Sequence, residues 1–238
     1  MLKPFALAPL VVAWLWTAPP APEPESPTPA ADDFELFGSA QPLGADCIRL
    51  TEDQQWQTGA AWSTTPVDLD APFDVELSLS FGDRDALGAD GIVFVLAGAP
   101  DMGWRGEMLG LSRRGPSLGI ELDTYQNKFQ NDPAADHLAF DIHGITYHFD
   151  AARRPEGLDA LDAVELPNLE DGRPHDFRVQ WSPEDELLKV SLDGVERATF
   201  PAPLVRELFG EARWVRWGLS SATGRKTNAH DVCLPSGD

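Results

Sequence analysis

The sequence predicts an all-β protein, an antiparallel sandwich, from three observations. Short segments alternate apolar and polar residues with a period of two, turn chemistry recurs between them, and helical periodicity is nearly absent. Residues 74–81 are the clearest segment: Val75, Leu77, Leu79 and Phe81 fall on one face, and Asp74, Glu76, Ser78 and Ser80 on the other, as in a strand with one buried face. Residues 91–96 are a near-continuous apolar run, and 118–125 and 137–144 are further strand-length segments. Segments 176–181, 188–192 and 195–200 are separated by Ser182-Pro183-Glu184-Asp185 and by Asp193-Gly194. These are turn sequences at hairpin spacing, and they predict a three-stranded meander. One helix candidate, 203–209, is stopped by Gly210. A single sandwich can use all of residues 32–238.

The first 31 residues stand apart from that pattern. Lys3 precedes an apolar run over 5–16 that is too short to span a bilayer and suits a secretory signal over 1–18. Residues 19–31 are Pro-rich and nearly free of large apolar groups, which predicts a solvated linker. The expectation is a secreted or periplasmic chain with no membrane insertion in its mature form. Cys47 and Cys233 are the only cysteines, and an oxidising compartment permits them to pair; neither has the neighbours of a metal or redox motif.

Charge narrows the partners. Eighteen Lys and Arg stand against 39 Asp and Glu, a net charge of -21, so phosphate backbones and anionic lipid surfaces are repelled, which argues against nucleic acid. Cations and neutral ligands remain.

One loop concentrates the chemistry. Glu121, Asp123, Tyr125 and Asn127 alternate along 121–127, followed by Asp132 and then His137 at intervals of five residues. Alternation puts Glu121, Asp123 and Tyr125 on one strand face, and the loop after Asn127 can return Asp132 and His137 over them. Two carboxylates about 4 Å apart repel by roughly 4 kcal/mol at an effective dielectric near 20, so the cluster calls for cations. Oxygen ligands suit Ca²⁺, and an added imidazole favours Mn²⁺ or Zn²⁺.

This spacing resembles the L-type lectins, typified by the legume seed lectins; six fixed positions match by chance on the order of once in a million such chains. The resemblance implies a jelly-roll sandwich with long loops at a metal and sugar end. It further implies a transition ion held by Glu121, Asp123, Asp132 and His137, and Ca²⁺ held by Asp123, Asp132, the Tyr125 carbonyl and the Asn127 side chain. Ala89-Asp90-Gly91-Ile92-Val93-Phe94 looks like the family's sugar-binding strand, where the Asp follows a cis peptide bond and accepts from sugar hydroxyls. Gly106-Glu107-Met108-Leu109-Gly110 is similar to its glycine loop, although many relatives carry a second glycine where Glu107 stands. The stretch 215–224 with His230-Asp231-Val232 resembles the last loop and closing strand. The implied sugar site comprises Asp90, Gly106, Glu107, Tyr125, Asn127, Gly224 and Arg225, with glycans as partners and no catalysis.

Two rivals share the architecture. Laminarinase-like glycosidases carry E-x-D-x-E with two catalytic glutamates, but here Tyr125 occupies the second glutamate's place and the retaining mechanism lacks its proton donor. An adhesive sandwich with structural calcium is the other. His143, His148, His175 and His230 lack ligand spacing and read as surface or strand histidines. Trp56, Trp62, Trp181 and Trp217 read as packing residues, and Trp104, in the loop leading to Gly106, as a candidate extension of the binding face. The Arg113-Arg114 and Arg153-Arg154 pairs read as solvated loop charges.

Overall fold

The computed structural model describes residues 30–103, 106–148, 162–210 and 212–235. The expected signal and nearly all of the linker, Trp104, and the Arg153-Arg154 pair lie outside them. The described chain begins inside the stretch expected to be linker: Ala31 opens a short 3-10 turn, Ala31–Asp33, and is buried against the core.

In chain order the strands are β1 (Phe34–Gly38), β2 (Gln41–Pro42), β3 (Cys47–Thr51), β4 (Thr58–Ser63), β5 (Val67–Asp68), β6 (Phe73–Ser80), β7 (Gly91–Ala97), β8 (Ser117–Asp123), β9 (His137–Ile142), β10 (Val164–Glu165), β11 (His175–Ser182), β12 (Leu187–Leu192), β13 (Val195–Pro201), β14 (Trp214–Ala222) and β15 (His230–Cys233). Among the described residues one α-helix, α1 (Ala202–Phe209), lies after β13 and ends at Gly210, whose φ is 60°. Two sheets form the sandwich. The front sheet runs β1-β4-β14-β7-β8-β9-β10, with β5 also on β14, and the back sheet runs β13-β12-β11-β6-β15-β3-β2. Every pairing between named strands is antiparallel.

The predicted meander is β11-β12-β13, and β6 pairs with β11 along its whole alternating run. Between the sheets, Phe94 lies 5.6 Å from Trp217 in a stacked pair and 6.0 Å from Phe177, while Phe140 meets Phe200. Burying side chains of this size gives roughly 1.5–3 kcal/mol each relative to exposure. The front sheet is covered on its other face too. Ala60, Trp62, Val93, Val95 and Ala97 pack there under Leu109 and Leu111, which is why β7 reads as a continuous apolar run.

Cys47 and Cys233 face each other across β15 and β3 and are disulfide-bonded. The segment expected as strand 118–125 stops at Asp123, because the Asp123 carboxylate accepts from the Tyr125 N–H at 2.6 Å and turns the chain. Tyr125 is therefore on the loop and shares no strand face with Glu121.

Candidate functional site

One end of the front sheet gathers the predicted residues. Register places Thr58 opposite Ala222, Ala222 opposite Gly91, Gly91 opposite Asp123, and Asp123 opposite His137. A single transverse row thus joins the end of β8, the starts of β7 and β9, and the end of β14. Asp90 immediately precedes that row, and the Ala89–Asp90 peptide bond is cis. The Asp90 carbonyl accepts from the Thr124 N–H at 2.9 Å and its N–H donates to the Ala222 carbonyl at 3.1 Å, which ties the sugar-strand candidate to the metal-loop candidate.

Side-chain alternation sorts the chemistry. Leu118, Ile120 and Leu122 of β8 and Leu138 and Phe140 of β9 enter the inter-sheet core. Glu121, Asp123, His137 and Asp141 therefore share the opposite face. They are all buried, as is Asp132. Asp132 is brought over them by the loop, where its carboxylate accepts from the Asn127 N–H at 2.6 Å. Ligand atoms of Asp123, Asp132 and His137 lie within 4.8 Å of one another.

Electrostatics sharpens this cluster. Burial, reinforced by Glu121, holds the Asp123 carboxyl well above the usual range, and burial pushes Asp132 up to about 6. Burial and Glu121 likewise raise Asp141. Burial pushes His137 down to about 4, keeping the imidazole neutral, the form able to bind a metal ion. Glu121 runs the other way: burial would raise it, but the neighbouring His148 and His137 outweigh that and lower it. Among the described residues, both Glu121 oxygens and Asn127 Oδ1 are buried without a hydrogen-bond partner. Orphaned acceptors of this kind beside a carboxylate cluster suit a cation and little else. The donor set fits two ions: mixed carboxylate and imidazole for a transition ion, and carboxylate, amide and carbonyl oxygen for Ca²⁺.

A pocket of about 230 Å³ opens at this end of the sheet, and all seven residues of the implied sugar site line it, together with Trp56, Ala89 and Lys226. A larger hollow of about 410 Å³ lies on the back sheet, around Glu76, Asp176 and Arg178, and shares no residue with the site. A methyl group added at Gly224 would stand 3.7 Å from Asp90 Oδ2 and 3.9 Å from Gly106 Cα, so three loops converge there. Asp90 Oδ2 is buried with no hydrogen-bond partner among the described residues. Burial, with Glu107 nearby, pushes the Asp90 carboxyl up to about 7.

Three residues of the site escape sequence reasoning. Trp56, expected in packing, is 49% exposed and lines the pocket. It sits on the loop between β3 and β4 and not in a strand, with φ at 62° and its N–H donating to the Gly224 carbonyl at 3.2 Å. Lys226, which no sequence signal marks, also lines the pocket and donates to the Ala86 carbonyl at 3.0 Å. His148, expected on the surface or in a strand, is buried beside Glu121, with Nε2 2.9 Å from Glu121 Oε1. A turn returns the chain to the site: Ile142 bridges Ile145, and Gly144 takes φ of 70°. Elsewhere the expected roles match the structure, since Trp62, Trp181 and Trp217 are buried, and His175 and His230 are buried strand residues.

Known proteins share this sandwich fold. Among curated sequences, the chain is 27% identical over 198 residues to "Protein ERGIC-53-like" of Rattus norvegicus, covering 82% of this chain and 37% of that protein. It is 30% identical over 158 residues to the seed lectin beta chain of Spatholobus parviflorus, covering 60% of this chain and 59% of that one. The chain thus spans less than two thirds of both relatives. Among solved structures, basic winged bean lectin with Tn-antigen superposes with a TM-score of 0.67 at 19% identity, covering 85% of this chain and 90% of that chain. The lectin from Bauhinia forficata in complex with GalNAc gives 0.67 at 20% identity, with the same coverage. The family described as legume lectin beta-barrel domain matches residues 26–236, nearly the whole chain, and the protein belongs to that L-type lectin family.

Proposed function

We propose that this chain is an exported, non-catalytic carbohydrate-binding domain whose sugar pocket is organised by Ca²⁺ and a transition ion. The observation that carries the reading is the convergence of Asp90, Asn127, Gly106 and Gly224 on one pocket beside the buried carboxylate and imidazole cluster. Asp123, Asp132, the Asn127 side chain and the Tyr125 carbonyl would hold Ca²⁺; Glu121, Asp123, Asp132 and His137 would hold the transition ion. The ions supply positive charge that keeps these buried carboxylates ionised together and fixes the loop.

The chain's own groups do the recognition. Asp90 Oδ2 offers a buried acceptor to sugar hydroxyls, and the Asn127 amide nitrogen can donate once its oxygen is engaged. Tyr125 and the exposed Trp56 supply aromatic surface for the apolar face of a pyranose. Three or four hydrogen bonds of about 0.5–1.5 kcal/mol each give weak single-site affinity, so avidity comes from multivalent or extended glycans. Export is supported by the apolar N-terminal run and by the disulfide. Galactose-type glycans form the natural first panel, because the Bauhinia structure contains GalNAc.

Asp90→Ala tests the site. It should lower glycan binding at least tenfold, the loss expected for charge-assisted hydrogen bonds of about 1.5–3 kcal/mol, while leaving metal content and thermal unfolding close to wild type. Undiminished binding by a folded Asp90→Ala protein would contradict the assignment.

A further inference from the structure

The His148 imidazole lies where a metal ligand would. Its Nε2 stands 3.1 Å from His137 Nε2, 2.9 Å from Glu121 Oε1 and 3.4 Å from Asp132 Oδ1. An ion with bonds of about 2.1 Å sets neighbouring ligand atoms about 3.0 Å apart at right angles and about 3.4 Å apart at tetrahedral angles. These three spacings fall at or near those values, and the fourth, His137 Nε2 to Glu121 Oε1, is wider at 3.7 Å. Glu121, His137 and His148 form one group of potential ligand atoms, and Asp123, Asp132 and His137 form another, so His137 joins them.

Ion pairing of His148 with Glu121 and Asp132 accounts for part of this arrangement and leaves the two facing imidazoles to be explained. Neither Glu121 oxygen has a hydrogen-bond partner despite the short approach of His148, so the contact is close but misaligned. Against burial, the Glu121 and Asp132 carboxylates raise the His148 imidazole, and a bound cation would take that proton's place, with both facing imidazole lone pairs serving one ion. The His148 backbone is also clamped to the metal loop: its N–H donates to the Gln130 carbonyl at 2.9 Å, and its carbonyl accepts from Asn131 Nδ2 at 2.9 Å. Gln130 in turn donates to Thr146 Oγ1 and to the Glu107 carbonyl, which fixes the returning segment against the rim of the pocket.

We propose that His148 is a further side-chain ligand of the transition-ion position, making it a two-imidazole site that favours Zn²⁺ over Mn²⁺ more strongly than a one-imidazole site would. This rests on the metal-dependent lectin reading above. Imidazole nitrogen stabilises Zn²⁺ more than Mn²⁺, which is better served by oxygen ligands.

The whole chain, stripped of metal and kept saturated with Ca²⁺, can be titrated with Zn²⁺ and Mn²⁺ in competition, with bound metal counted by mass spectrometry. Losing even a partner that orients a ligand costs about 10–100-fold in metal affinity, so His148→Ala should lower Zn²⁺ affinity about tenfold or more and, because imidazole favours Zn²⁺, lower the Zn²⁺ to Mn²⁺ affinity ratio as well. X-ray absorption of the Zn²⁺-loaded wild type, which needs no variant, should count two imidazoles. One imidazole, or an unchanged ratio in a folded His148→Ala protein, overturns the inference and leaves the lectin reading standing. Failure of the wild type to bind either ion stoichiometrically overturns both.

Discussion

At the scale of single residues, polar groups behind the pocket position what the pocket presents. Glu170 is buried, and its Oε1 accepts from Asn228 Nδ2 at 2.6 Å. A methyl group at Gly88 would collide with both groups, so the pair packs directly on the backbone two residues before Asp90. Burial pushes the Glu170 carboxyl from its ordinary 4.5 up to about 7. An unfolded glutamate loses its proton at the lower value and the folded one keeps it to the higher, so the folded state binds the extra proton between them. Stability from this group is present below that window and falls as pH rises through it, by at most about 1.4 kcal/mol per pH unit. Glu170→Gln removes the titration. Urea unfolding at a series of pH values across the window should show the variant gaining on wild type as pH rises; a pH-independent difference would contradict this account of Glu170.

At the scale of elements, the disulfide joins β3 and β15 across 186 residues of sequence. Replacing Cys47 and Cys233 together by Ser should lower unfolding stability by about 2–5 kcal/mol, measured by denaturant titration under oxidising conditions; equal stability would show that the bridge constrains little. The legibility of strands tracks their exposure. β6, β11 and β12 have one covered face, so they alternate and can be read directly. β4, with Gly59, Ala60 and Ala61, and β14, with Gly218, Ser220 and Ser221, are covered on both faces and carry small residues, so no alternation marks them. β14 is legible only through family resemblance, and β4 carries no signal of its own. The end of β8 reads two residues too long because the Asp123 turn interrupts an otherwise continuous pattern.

At the scale of the molecule, the acidic surplus resolves into two parts. Asp74, Glu76 and other carboxylates lie on the solvated surface, whereas Glu121, Asp123, Asp132 and Asp141 are buried in one cluster. The six-position spacing makes the cluster readable because its side chains come from one strand, one loop and the next strand. His148 is hidden because it enters from outside that spacing, carried back by the turn at Gly144, and the Ile142-His143-Gly144-Ile145 stretch does not show where the chain is aimed. Trp56 is hidden because its exposure depends on the loop conformation between β3 and β4, which local pattern does not set.

The central claim, metal-supported glycan binding, is tested most directly by a glycan array run on the whole chain with Ca²⁺ and the transition ion, after chelation, and after metal is restored. The account predicts binding to a restricted set of glycans, loss on chelation, and recovery on restoration. Binding that is indifferent to chelation, or no binding in any condition, would contradict it.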